Sequence, residues 1–234
     1  MRVLGLESAT TVAGIALVEE EKVIAEVILN TRKTHSQRLM PMLAQLLEEA
    51  EVELADLDGL VVSGGPGSFT GLRIGMATIK GLAFACQKPV AVVSTLDSLA
   101  LNLQGTPGLI CPILNARRNE VYVSLYSFTD QGFLERCENY QAITPAQVVN
   151  MLSSRPGPVT FLGDGVGVYG QYLLEALGDR GQVASPLHNL PRATNLAWLG
   201  LERLKKGLAE DISSLRPFYI RPSEAEVKWR QRNL

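Results

Sequence analysis

Histidine is nearly absent: His35 and His188 are the only two in 234 residues, one in each half. A zinc centre or a nucleophile–base pair would need one of them with helpers at a working spacing, and neither has such neighbours. His35, in Thr34-His35-Ser36, reads instead as a local hydrogen-bonding residue beside a helix start. Cysteine is also scarce. Cys86, Cys111 and Cys137 are odd in number, widely spaced and form no CxxC, which argues for small buried apolar side chains in a reducing compartment and against a disulfide framework. No apolar run reaches the length of a membrane span, and Glu7 interrupts the N-terminal stretch too early for a signal peptide. The expectation is a soluble, cytoplasmic protein. Positive charge is not in surplus either: 22 Lys and Arg stand against 24 Asp and Glu. Phosphate neutralisation supplies most nucleic-acid affinity, so autonomous RNA binding is disfavoured. Only a short basic run, Lys228, Arg230 and Arg232, points the other way.

What the chain does have is core material. Hydrophobic residues make up 46% and charged residues 20%, a globular composition long enough for two small packed lobes. One pattern runs through it twice. Residues 2–8, 12–18 and 22–29 read as three strands, 37–51 as a helix, 58–63 as a strand, and 69–86 as a helix after a glycine loop; 89–94 and 95–103 add a strand and a helix. The second half repeats the order: strands at 109–115, 120–128 and 133–140, a helix at 145–153, a strand at 159–162, a glycine turn, and a helix at 168–177. The offset is about a hundred residues. Such halves build mixed sheets covered by helices, with a cleft between lobes, the layout of the actin-like ATPase and sugar-kinase superfold. The predicted division is an N-terminal lobe over 1–104, a C-terminal lobe over 105–192, a helix over 194–208 that packs back on the first lobe, and a tail over 215–234.

The loop Gly64-Gly65-Pro66-Gly67-Ser68 carries a strand into a helix. Its amides and the helix N-terminus make phosphate binding available, with Gly65, Gly67 and Ser68 joined by Ser8 and Thr10 of the first turn. The Walker lysine and the GxSxG spacing are both missing. The plain alternative is a tight turn that seats a helix close to a sheet. An ATPase of this layout needs carboxylates for magnesium. Glu7, with Asn115 in the matching turn, is a poor set, and no metal site is expected. Arg117 and Arg118 in that second turn either reach the cleft or stand in solvent.

Helix 72–86 is apolar nearly all round. Leu72, Gly75, Met76, Ile79, Leu82, Ala83 and Cys86 form one face; Ile74, Ala77, Gly81, Phe84 and Ala85 form much of the other; Arg73 and Lys80 sit side by side. Leaving that second face in water would forfeit on the order of 5 kcal/mol. Either other helices of the chain cover it or a partner does. Helix 37–51 carries an apolar arc of roughly 160°, wider than one core contact needs, through Leu39, Met40, Met42, Leu43, Leu46 and Leu47. The expected partner surface is therefore these six residues with Arg73, Ile74, Met76, Ala77, Lys80 and Phe84.

Several stretches together resemble the TsaB (YeaZ) family: LGLESATT at 4–11, Thr34-His35-Ser36 with Leu39 and Pro41, GPGSFTGLRIG at 65–75, NARRNEVY at 115–122, Gly163-Asp164-Gly165 and Pro217-Phe218-Tyr219-Ile220-Arg221. The similarity is collinear from end to end. It departs where the family usually has aspartate, at Glu7 and Asn115, which lowers any nucleotide–metal role there. The resemblance implies an actin-like two-lobe fold and a non-catalytic subunit of tRNA threonylcarbamoyladenosine synthesis. Such a subunit associates with the catalytic paralogue TsaD and the ATPase TsaE, and pairs with itself through the same two N-terminal helices. It implies no cofactor of the chain's own, ATP or ADP only at the complex interface, and tRNA met only through the complex. The rival is a stand-alone ATPase or small-molecule kinase of the same superfold; a peptidase is a weaker third, for want of a histidine or zinc constellation.

Overall fold

A computed structural model describes residues 1–31 and 33–221. Residues 222–234, most of the predicted tail, lie outside it, as do Lys228, Arg230 and Arg232. The first sheet consists of β1 (Arg2–Glu7), β2 (Ala13–Glu19), β3 (Lys22–Leu29), β4 (Gly59–Gly65) and β5 (Val90–Ser94), in the order β3-β2-β1-β4-β5. β1, β4 and β5 run parallel, while β2 and β3 form an antiparallel meander on one side. Helices α1 (His35–Glu49) and α2 (Phe69–Cys86) connect these strands, and α3 (Thr95–Ala100) leads from β5 to the second half.

Alternation along β1 explains the layering. Leu4 and Leu6 point to one face and join Leu39, Met42, Leu43 and Leu46 of α1 and Met76, Ile79 and Leu82 of α2. Val3 points to the opposite face, against α6 (Ala193–Lys205), where Leu196, Ala197, Leu201 and Leu204 cover Val61, Ala91 and Val93. The last helix thus returns to the first sheet. Gly5 lets it in: a β-carbon there would sit 2.7 Å from Ala197 Cβ.

The second sheet repeats the order with β6 (Leu109–Arg117), β7 (Glu120–Val123), β10 (Gln141–Ile143), β11 (Val159–Leu162) and β12 (Gly181–Val183), arranged β10-β7-β6-β11-β12. α4 (Pro145–Ser153) and α5 (Val166–Leu177) pack on one face; α3 packs on the other through Leu96, Leu99 and Ala100.

Two predicted elements move. The strand expected over 120–128 divides into β7 and β8 (Tyr126–Phe128), because Val123 to Tyr126 are all buried and break the alternation. The strand expected at 133–140 is only β9 (Leu134–Arg136), hairpin partner of β8; the true third strand is β10, paired with β7. Helix α1 starts at His35 instead of residue 37 and passes through Pro41 without a break. Pro41 is the seventh residue of the helix, so the bond its missing N–H would have made to the Gln37 carbonyl is forgone inside the second turn.

Candidate functional site

Four turns and one returning segment meet around a cleft of about 590 Å³ between the two sheets' strand ends. The β1–β2 turn contributes Ala9, Thr10 and Thr11; the β4–α2 loop contributes Gly67, Ser68, Phe69 and Thr70. From the other half come Asn115 to Arg118, Tyr122 and Asp164; Tyr219 and Arg221 close one wall.

The β1–β2 turn is fixed from below. Glu7 is fully buried, and its Oε1 accepts from the Ala9 amide at 2.6 Å. Burial pushes its pKa up to about 7, against the opposing pull of the Ala9 amide, the Ser63 hydroxyl and the Ser8 amide. Glu7 therefore faces its own turn, not the cleft. It cannot present a carboxylate to a cation, and among the described residues no group of His, Cys, Asp and Glu is placed to hold one. From the side, His35 Nε2 bonds to the Thr10 carbonyl at 2.8 Å, while Arg38 donates to the carbonyls of Leu29 (3.0 Å) and Thr11 (3.2 Å). Burial lowers the His35 pKa, outweighing the Thr10 bond. The local hydrogen-bonding role expected of His35 is what it performs.

The glycine loop behaves as a seat for α2. The Ser68 amide donates to the Ala9 carbonyl at 2.6 Å, and the Ser68 hydroxyl caps the helix by accepting from the Gly71 amide. β-Carbons at Gly67, Gly71 and Gly75 would fall 2.2 Å from Ala9 O, 2.1 Å from Ser8 O and 2.1 Å from Ser8 Oγ. Of the five phosphate-binding candidates, Thr10, Gly67 and Ser68 line the cleft. Ser8 and Gly65 do not: Ser8 is fully buried and donates to the Gly71 carbonyl, and Gly65 lies under Phe218. Both are withdrawn as ligand-binding residues.

Across the cleft, Asp164 Oδ1 accepts from the Asn115 amide at 2.8 Å, and Asn115 Oδ1 accepts from the Arg117 amide at 2.9 Å. Arg117, Arg118 and Asn119 all have positive φ, at 61°, 52° and 58°. Three left-handed non-glycine residues in succession are rare, and they hold the arginines at the cleft.

Sequence reading missed the wall made by residues 218–221. The Phe218 amide donates to the Gly64 carbonyl and its ring stacks on Tyr140 at 5.6 Å; the Tyr219 ring stacks on Phe69 at 4.9 Å; Arg221 pairs with Glu120. The aromatic–aromatic–apolar–basic run at 218–221 was the available signal.

The expected partner surface is divided by the structure. Leu39, Met42, Leu43, Leu46 and Met76 are buried in the chain's own core, none more than 5% exposed, and cannot touch a partner. The wide stripe on α1 is core because α1 sits against β2 and α2 together. The other candidates do reach the surface. Phe84 is 82% and Met40 50% exposed; Arg73 and Ala77 are exposed; Leu47, Ile74 and Lys80 are partly so. Gly81 and Ala85 extend the open face of α2, and among the described residues nothing lies within 4 Å of a β-carbon built on Gly81.

The duplicated sheet order and the cleft between its halves define an actin-like α/β protein. Residues 22–229 match the family model for TsaD, tRNA N6-adenosine threonylcarbamoyltransferase. The chain is 39% identical over 229 residues to the tRNA threonylcarbamoyladenosine biosynthesis protein TsaB of Bacillus subtilis, covering 98% of both chains. It is 28% identical to the protein of the same name in Escherichia coli, over 99% of this chain and 98% of that one. A crystal structure of a Pseudomonas aeruginosa protein, described as having similarity to peptidase YEAZ, superposes with a TM-score of 0.81 at 29% identity, over 94% of this chain and 99% of the other. The chain belongs to the TsaB (YeaZ) family, within the wider group that the TsaD model describes.

Proposed function

We propose that the chain works in tRNA threonylcarbamoyladenosine biosynthesis as a non-catalytic subunit that docks its α2 face on a TsaD-like paralogue. The observation that carries this is the outer face of α2, where Phe84 stands 82% exposed among Ala77, Gly81 and Ala85. An exposed phenylalanine beside small residues lets another helix come close and bury apolar area around an aromatic anchor. A glycine in mid-helix costs about 1 kcal/mol relative to alanine, and no contact among the described residues explains Gly81. Met40, Leu47, Arg73, Ile74 and Lys80 extend the surface. The non-catalytic role is supported by the chemistry of the donor set: Glu7 faces inward, and His35 is committed to the Thr10 carbonyl. In this reading a TsaE-like ATPase joins the assembly, tRNA is met through it, and any ATP or ADP is held where subunits meet. Without its partner the chain pairs with a second copy through the same face.

The test is Phe84→Glu. Because the side chain is already in water, the variant should keep its folding stability within about 0.5 kcal/mol. It should fail to co-purify with a TsaD-like protein and fail to support tRNA modification in a reconstituted assay. Full retention of both by a folded Phe84→Glu protein overturns the assignment. Ile74→Glu is a poorer probe, because Ile74 also packs on the core.

A further inference from the structure

Two regions of the molecule share one side chain. Arg73 stands exposed on the α2 face proposed above to take a partner, yet it also holds a wall of the cleft. Its guanidinium lies over the Phe69 ring at 3.9 Å, and its Nε donates to the Tyr219 hydroxyl at 3.1 Å. Tyr219 stacks on Phe69 and is itself 38% exposed. The other attachments of segment 218–221 are more enclosed. The Phe218 amide donates to the Gly64 carbonyl, and the half-buried Phe218 ring stacks on Tyr140, whose hydroxyl donates to the Asp97 carboxylate at 2.9 Å. Arg221, half-buried, pairs with Glu120 of the second half. A cation–π contact and a hydrogen bond open to water are each weak, so the Arg73 end is the loose attachment of a segment that joins both halves.

We propose, resting on the docking reading of α2, that a partner seated there tightens this segment across the cleft, with Arg73 as the link. Covering the outer face of α2 removes water from Arg73, Phe69 and Tyr219. A guanidinium withdrawn from water is held more strongly by an aromatic face and by a hydroxyl acceptor, because no solvent of high dielectric competes. Among the described residues only Nε of Arg73 has a hydrogen-bond acceptor. Its two terminal nitrogens are left to donate to a carbonyl or carboxylate of the partner. One planar group then contacts the partner and the segment at once, a bridge that the compact ammonium of a lysine makes less well. Because the segment also grips Gly64, Tyr140 and Glu120, tightening it holds the two halves together at the cleft. Linkage is reciprocal, so the closed segment in turn favours the docked partner.

Hydrogen exchange at the Phe218 amide reads the segment, because its acceptor, the Gly64 carbonyl, belongs to β4 and stays behind when the segment lifts. In the isolated chain, Arg73→Gln should speed exchange there by about two- to fivefold, and an unchanged rate overturns the proposal. With a saturating TsaD-like paralogue, exchange in the unaltered chain should slow by about fivefold. In the Arg73→Gln complex, also at saturation, it should slow by less than about twofold; that complex controls for the general stabilisation any bound partner brings. Slowing of equal size in both complexes means that the partner touches 218–221 itself, and it refutes Arg73 as the link. Should Arg73→Gln fail to bind, Tyr219→Phe, which keeps the stack and removes the acceptor, decides in its place: undiminished slowing overturns the proposal. A paralogue that does not bind the unaltered chain sinks the docking reading and this proposal with it. A paralogue that binds, is lost on Phe84→Glu and leaves the Phe218 rate unchanged sinks this proposal alone.

Discussion

Arg73 and Tyr219 are 146 residues apart in sequence and joined in space: Arg73 Nε donates to the Tyr219 hydroxyl at 3.1 Å. The same guanidinium lies over the Phe69 ring at 3.9 Å, and Phe69 stacks on Tyr219. One residue of the exposed α2 face therefore touches one wall of the cleft. The segment it holds continues to Arg221, which reaches Glu120 and the Ala116 carbonyl in the other half. Residues 218–221 act as a strap over both halves.

The strap should carry measurable stability. Phe218 is half-buried between Gly64 and Tyr140, so Phe218→Ala should cost about 2 kcal/mol, less than a fully buried phenylalanine. Tyr219→Phe keeps the stacking and loses only a surface hydrogen bond, so it should cost under about 1 kcal/mol. Urea midpoints of the two variants check both the order and the sizes.

Two glycines of α2 should respond oppositely to alanine. At Gly75 the new carbon meets Ser8 Oγ at 2.1 Å and Leu6 Cδ2 at 3.1 Å, so overpacking should outweigh the gain in helix propensity and cost about 1–3 kcal/mol. At Gly81 the carbon enters open space, and the isolated chain should gain up to about 1 kcal/mol. Melting temperatures test this directly. If Gly81 exists for close helix approach, the stabilised Gly81→Ala variant should also bind the paralogue less tightly.

Glu7 makes the fold sensitive to base. Its pKa is raised from 4.5 to about 7 in the folded state, so the protonated form is favoured by folding. That contribution is complete below the unfolded value of 4.5 and is lost as pH climbs through about 7, reaching a loss on the order of 3 kcal/mol. Glu7→Gln, which keeps an acceptor for the Ala9 amide, should flatten this dependence and be the more stable protein above pH 7. Unfolding midpoints measured from acid to mildly alkaline pH would show no difference in slope if the assignment is wrong.

Sequence periodicity carried much of the fold. Helix α2 was legible to the residue because a largely apolar run, broken only by Arg73 and Lys80 among charged residues, follows a glycine loop and Ser68 caps it. The second half was blurred where short strands replace long ones. β12 is three residues, two of them exposed, and offers no pattern to read. The candidate surface was half legible. A helical wheel shows how wide an apolar arc is, not which part the chain covers itself, so Leu39 and Leu46 looked the same as Phe84. The cleft was least visible. Its residues come from four separated turns and the segment at 218–221, and nothing in local sequence states that Tyr219 and Arg118 line the same cleft.

Helix α6 has a consequence for dissecting the molecule. Expressed alone, the first 104 residues would expose Val3, Val18, Val61, Ala91 and Val93, the side of β1, β2, β4 and β5 that α6 covers, and a simple cut at the midpoint should give an insoluble product. Yet Lys205 at the end of α6 and the amino group of Met1 both approach Glu20, each at 3.4 Å. Splicing 193–206 ahead of Met1 through a brief flexible joint would restore the missing cover from the opposite direction. The permuted half-molecule should then be more soluble than the simple cut, with helix α2 still on display.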